Sequence, residues 1–158
     1  MIRTNIPKGY TLVEVCIVIA LLAIISTLAI PAWQNYSSNI NLKTAAREVM
    51  SDLLNARQRA IEENINTYRL TFNVANNNYT LSRTDTGITY WTKPLTSYGN
   101  GISIQSVNFD NGSTVSFQRR GTVNKMGGNL VLTNLIGSTA TITVQITART
   151  YVQYNMQK

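Results

Sequence analysis

The chain carries no histidine, one cysteine and seven carboxylates: Glu14, Glu48, Asp52, Glu62, Glu63, Asp85 and Asp110. That inventory removes whole classes of chemistry. No nucleophile–histidine pair can be built, and no His/Cys cluster has metal-ligand spacing. Glu62 and Glu63 are neighbours in sequence, and neighbours on a helix face different directions, so they do not make a catalytic carboxylate pair. The single thiol, Cys16, cannot form an intramolecular disulfide. It lies in an apolar run, where it reads as a small apolar filler. The pattern is that of a non-enzyme, with no cofactor and no metal.

One carboxylate has an unusual position. Glu14 lies two residues inside an apolar block that begins at Leu12, and no formal charge follows from Val15 to Ala32. That run is about long enough to cross a bilayer as a helix. A carboxylate there is costly in hydrocarbon and calls for a functional reason. In front of it stands a short basic leader, MIRTNIPKG. A secretory signal has its small-residue cleavage point after the apolar stretch. Here the candidate point, Gly9, comes before it. Cutting between Gly9 and Tyr10 removes the leader and keeps the hydrophobic helix. The new amine on Tyr10 then lies about one helical turn from Glu14. Where apolar helices pack together, that carboxylate can pair with a neighbour's amine. An unpaired buried charge costs several kcal/mol, so the pair favours one stagger between subunits.

Gly9-Tyr10-Thr11-Leu12-Val13-Glu14 resembles the N-terminus of type IV prepilins and type II secretion pseudopilins. The family pattern is Gly, an aromatic that is usually Phe, then Thr, Leu, an aliphatic and Glu. Tyr10 is the one departure. The resemblance implies a prepilin peptidase that cuts after Gly9 and methylates Tyr10. It implies assembly through Glu14 and through the helix around Pro31, where pilin helices commonly carry a proline. Pro31 cannot donate to the helical ladder and should kink or loosen it. Implied partners are other pilin or pseudopilin subunits, an inner-membrane assembly platform and inner-membrane lipid. The implied location is the bacterial inner membrane, single-pass, with the globular domain in the periplasm, and a filament after assembly. Many type IV pilins close a C-terminal loop with a disulfide, which this chain cannot do.

The elements that must carry these residues follow from periodicity. Leu42, Ala46, Val49, Leu53, Ala56 and Ala60 recur at spacings of four and three, one stripe of a helix. Ala45, Leu54 and Ile61 are expected to widen it, while Glu48, Asp52, Arg59 and Glu62 are expected on other faces. One long helix is predicted from Tyr10 to about Asn64. Tyr68, Leu70, Phe72 and Val74 then alternate with polar residues as a half-buried strand. Asn76 to Asn78 reads as a turn leading to a partner strand at Tyr79. Further strands are predicted at Ile88–Trp91, at Ile102 and Ile104 and, after a break, Val107 and Phe109, then at Val115–Phe117, Leu130–Leu132, Thr141–Ile146 and Thr150–Tyr154. Pro94–Gly101 reads as loop, and Asp110–Ser113 and Gly127–Gly128 as turns. This order argues an α+β fold, which the resemblance makes pilin-like: a long N-terminal helix packed on an antiparallel β-sheet domain. The expected organisation is leader at 1–9, membrane and filament-core helix at 10–33, amphipathic helix at 34–65 and β-rich domain at 66–158.

A second resemblance lies in the C-terminal half. Val115-Ser116-Phe117-Gln118-Arg119-Arg120-Gly121-Thr122 resembles the F-x-x-x-G stretch of the GspH/FimT minor pseudopilin family. That family ends in a strand with a Gly-Arg pair, matched here by Ile142 to Arg149 with Ala148 for the glycine. Some members bind DNA through a C-terminal Gly-Arg-x-Arg motif, whose second arginine is missing here. Arg119, Arg120, Lys125 and Arg149, beside Tyr151 and Tyr154, are the candidate contacts to nucleic-acid phosphates. The formal charge of +7 is compatible with anionic partners. The residues leave three readings: a structural subunit of a type II pseudopilus or type IV pilus, a DNA-capturing minor pilin, and a plain membrane-anchored β domain.

Overall fold

A computed structural model describes residues 9–109 and 112–157, apart from the side chain of Leu28. Residues 1–8 of the predicted leader, and Asp110 and Asn111 of the predicted turn, lie outside the described residues. The chain divides into two units, Met1–Asn35 and Tyr36–Lys158. One helix, α1 (Leu12–Glu62), begins in the first and ends in the second. It starts where Thr11 supplies a cap: the Glu14 amide donates to Thr11 Oγ1 at 3.2 Å. The Val15 amide donates to the Thr11 carbonyl at 3.3 Å. Thr and Glu three apart are a capping-box pair, so this spacing also has a purely local use. The helix continues through Pro31, whose missing N–H leaves the Thr27 carbonyl without its usual donor.

In the second unit α1 packs on two four-stranded antiparallel sheets. One has the order β3-β2-β1-β5, built from β1 (Tyr68–Asn73), β2 (Asn78–Arg83), β3 (Thr89–Pro94) and β5 (Thr114–Ser116). The other has the order β4-β6-β7-β8, from β4 (Ser103–Phe109), β6 (Gly128–Thr133), β7 (Thr139–Val144) and β8 (Thr150–Asn155). Leu42, Ala45, Ala46, Val49, Leu53, Ala56 and Ala60 are buried against Tyr68, Leu70, Phe72, Leu81, Leu130, Leu132 and Ile142. Four alanines in that stripe keep the helix backbone close to the sheets. Leu54 and Ile61 were expected in the stripe but are 40% and 46% exposed. The sheets cover the narrower band of residues spaced by three and four, and these two flank it.

Other differences have local causes. The predicted loop after Pro94 contains a 3-10 turn, Leu95–Tyr98, that buries Leu95. Gly128 opens β6 instead of closing a turn, and a Cβ there would strike the Asn108 carbonyl oxygen at 2.2 Å. The strand expected to reach Ile146 stops at Val144. Ala148 N–H donates to the Gln145 carbonyl at 2.8 Å and Gln145 N–H to the Arg149 carbonyl at 2.9 Å. These bonds close a three-residue hairpin whose last position is left-handed, with Ala148 at φ 57°. Glycine is the usual residue at that position.

Asn77 joins the two sheets. Its φ of 50° suits asparagine better than any other residue with a Cβ. Its side chain donates to the Ile102 carbonyl at 2.6 Å and accepts from the Ile104 amide at 2.8 Å. Its carbonyl accepts from the Leu95 amide at 3.0 Å. We predict that Asn77→Gly, which loses the side-chain bonds but keeps the left-handed turn, destabilises by about 1–3 kcal/mol. Asn77→Ala should cost about 1 kcal/mol more. Urea denaturation of the full chain in detergent micelles measures both; equal losses would contradict the backbone contribution.

Candidate functional site

In the first unit, Gly9 and Tyr10 precede the helix and are exposed, Tyr10 at 84%. A Cβ on Gly9 would meet nothing within 4 Å. Packing among the described residues therefore does not demand glycine at this position. Tyr10, Glu14, Val15, Val18 and Ile19 border a shallow depression of about 370 Å³. Along the same run, Val15, Ile17, Val18, Ile19, Leu21, Leu22, Ile24, Ile25 and Ile30 are 48–63% exposed. Such a helix, apolar around its circumference, needs lipid or other helices to cover it. Among the described residues, α1 is the one helix long and apolar enough to cross a membrane.

The second unit holds its helix to the sheets with charge as well as apolar packing. Asp52 was expected on an outer face but is 4% exposed. Lys93 Nζ donates to Asp52 Oδ2 at 2.8 Å and to Glu48 Oε1 at 2.9 Å. The Tyr79 hydroxyl donates to Asp52 Oδ2 at 2.7 Å. Lys93 also lies 4.8 Å from the centre of the Trp91 ring. The carboxylate is tolerated because two strands, β2 and β3, supply its donors. Near the end of α1, Tyr68 donates to Glu63 Oε1 at 2.5 Å. Arg83 bridges Glu63 and Asp85, and that bond holds the Asp85 carboxyl below its usual range. Periodicity missed Asp52 because its position reads as polar decoration. The signal was present as a carboxylate next to the core residue Leu53.

The F-x-x-x-G stretch forms a second tight hairpin. Gln118 N–H donates to the Thr122 carbonyl and Gly121 N–H to the Gln118 carbonyl, both at 2.8 Å. Gly121 has φ 76°, and a Cβ there would meet Ile61 Cδ1 at 2.8 Å. Its carbonyl accepts from Arg57 Nε at 2.8 Å. The motif thus docks a turn on the last part of α1 and needs glycine for both conformation and approach.

The candidate nucleic-acid contacts are only partly brought together. Arg119 and Arg120 share the 118–121 turn, Lys125 lies in the following loop, and Arg149 closes the β7–β8 turn. All four are exposed. A backbone bond from Val123 N–H to the Ile146 carbonyl at 3.0 Å links the two turns. Tyr151 and Tyr154, three apart on a regular strand, point to opposite faces of it. They do not form one stacking platform.

The arrangement of a helix packed on two antiparallel sheets has known counterparts. The minor pseudopilin EpsH from the type 2 secretion system of Vibrio cholerae superposes with a TM-score of 0.58 at 13% identity, over 72% of this chain and 97% of that one. The type IV minor pilin FimU of Pseudomonas aeruginosa gives 0.61 at 10% identity, over 75% and 92%. The fold is pilin-like. Two fimbrial proteins of Pseudomonas aeruginosa are each 41% identical to the chain over 56 residues, a stretch that spans 36% of their length. No family model matches the chain.

The buried network makes the pilin-like domain sensitive to alkali. Burial, then hydrogen bonds with Tyr98 and Asp52, push the Tyr79 phenol above its ordinary value of 10.0. For Lys93, burial alone would lower the ammonium, but its bonds to Asp52 and Glu48 outweigh that and raise it above 10.5. Both groups hold their protons more tightly in the folded state than in the unfolded chain. Their stabilisation is therefore complete below about pH 10 and is lost as pH rises further. We predict that Tyr79→Phe makes the alkaline loss of stability shallower. It should also cost about 1–3 kcal/mol at neutral pH, because Asp52 loses a donor. Denaturant midpoints across pH 7–12 check this; an unchanged alkaline slope would contradict it.

Proposed function

We propose that the chain is a minor pilin or pseudopilin, a structural subunit of a type IV pilus or type II secretion pseudopilus. The observation that carries the reading is the exposed apolar helix with Gly9, Tyr10 and Glu14 at its start. Its leader enters the cytoplasm side with its positive charges, consistent with the positive-inside tendency. A prepilin peptidase cuts between Gly9 and Tyr10 and methylates the new amine. The open space around Gly9 among the described residues fits a requirement imposed by a peptidase pocket. The subunit then leaves the bilayer and buries its helix among those of its neighbours, a head-to-tail packing that need not close. Glu14 pairs there with a neighbouring N-terminal amine. Residues 10–33 are the anchor and filament core, 34–65 the helix that carries the domain, and 66–158 the periplasmic β domain. An inner-membrane platform drives the transfer.

The capping bond to Thr11 uses the Glu14 amide, not its carboxylate. The carboxylate therefore remains available to a neighbour. DNA capture would rest on Arg119, Arg120, Lys125 and Arg149, and the divided tyrosines make that the weaker reading. Mass spectrometry of the chain from cells should give an N-terminus at methylated Tyr10. Glu14→Ala should leave that cleavage and the folded domain intact yet remove the chain from sheared filaments. A different N-terminus would overturn the processing step. Undiminished incorporation of Glu14→Ala would overturn the Glu14 pairing, and no chain in filaments at all would favour a plain anchored domain.

A further inference from the structure

Four strands form the sheet edges: β3, β5, β4 and β8. An edge strand exposes unpaired N–H and C=O groups and invites another strand, so proteins guard their edges with short length, bulges, charge or proline. The β5 strand is three residues long. In β4 the register shifts between Ile104 and Ser106. Along β3 the register shifts opposite Leu81 and Ser82, and the strand ends in Lys93 and Pro94. The β8 strand has none of these features. Its six residues, TYVQYN, carry no charge and no proline. They pair with β7 in unbroken register from Thr150↔Val144 to Asn155↔Thr139.

The outward groups of β8 can be assigned. Gln145 N–H bonds the Arg149 carbonyl, and bonded and non-bonded pairs alternate along an antiparallel ladder. Tyr151, Gln153 and Asn155 therefore bond β7. The N–H and C=O groups of Thr150, Val152 and Tyr154 point away from the sheet. Among the described residues no other backbone group pairs with them.

The strand is also tied by hydrogen bonds at both ends. The turn at Gln145–Arg149 fixes its start. At its end, Gln157 N–H donates to Ser138 Oγ at 2.8 Å, and Asn39 Nδ2 donates to the Gln157 carbonyl at 2.9 Å. Ser138 Oγ in turn donates to Asn39 Oδ1 at 2.6 Å.

Charge indicates the kind of occupant. From Asn111 to Lys158 the sequence has five cations, Arg119, Arg120, Lys125, Arg149 and Lys158, and no carboxylate side chain. Arg149 stands exposed next to Thr150, and no ion pair occupies it among the described residues. A second copy would bring the same positive region against this one. We infer that the outer edge of β8 is a docking site for an extended strand of another protein, one flanked by carboxylates. Backbone bonds to Thr150, Val152 and Tyr154 hold that strand, and its acids lie toward Arg149. This inference does not depend on how the N-terminus is processed.

The test uses the full isotope-labelled chain in detergent micelles and two synthetic peptides. Both alternate Thr and Val; one has Glu at each end and the other Lys. At low salt, the Glu-ended peptide should shift the amides of Thr150, Val152 and Tyr154 and slow their hydrogen exchange. The Lys-ended peptide should do so less. Tyr154→Pro removes one outward N–H and leaves the β7 ladder intact, a substitution that edge strands tolerate. It should abolish the response while the amides of Thr141 and Ile142 keep their positions. Arg149→Glu, which keeps every outward backbone group and reverses the charge beside Thr150, should weaken the response to the Glu-ended peptide. No shift at millimolar peptide, shifts confined to other residues, or equal responses to both peptides would overturn the proposal. So would self-association of the chain through the same amides.

Discussion

An apolar helix that its own chain leaves uncovered is the constraint on which the rest of the account depends. Nine large aliphatic side chains between Val15 and Ile30 are about half exposed or more. Covering them is worth on the order of 10 kcal/mol, at roughly 1 kcal/mol for each exposed half. Such a surface does not stay in water. Lipid can cover it and so can other helices, and a filament subunit needs both in succession. Glu14 then acquires its meaning from that environment. It is inexpensive at a helix start in water, costly in hydrocarbon, and directional where a neighbour offers an amine.

The second unit meets the opposite requirement. Under the proposed function it must stay folded whether its helix is held in lipid or packed among other helices. Small alanines bring α1 close to the sheets, and Asp52, Lys93 and Tyr79 tie it there at one side. Arg57 and Gly121 tie it at another, and Asn39 fastens the C-terminal segment through Ser138 and Gln157. A disulfide is absent from this chemistry because the only thiol lies far along the sequence in the apolar run. Hydrogen bonds among the half-buried Asn39, the exposed Gln157 and the buried Ser138 hydroxyl fasten the end of β8 instead.

Much of this was legible from periodicity and spacing. The helix appeared as a six-residue apolar stripe with three flanking positions, and the strands as alternation between turn residues. The reason is that burial on one face imposes a period on sequence. What periodicity could not show were residues whose role depends on a distant partner. Asp52 reads as surface charge until Lys93 and Tyr79 are placed beside it. Asn77 reads as one of three turn asparagines until Ile102 and Ile104 are found at its side chain. Ala148 was legible as a departure from glycine, but its cause, a left-handed hairpin position, required the β7–β8 turn. The N-terminal residues are the reverse case. Gly9, Tyr10 and Glu14 make few contacts within the chain, so their pattern in the sequence says more than their place in the fold.

Cys16, the only thiol, lies exposed within the uncovered helix and reports directly on what covers it. Labelling with a membrane-impermeant maleimide should fail in intact membranes. It should fail again in sheared, lipid-free filaments, and succeed only after the filaments are dissociated. Protection in both states is the result this account predicts. Free labelling of Cys16 in the filament fraction would contradict the claim that the same helix serves first as anchor and then as filament core.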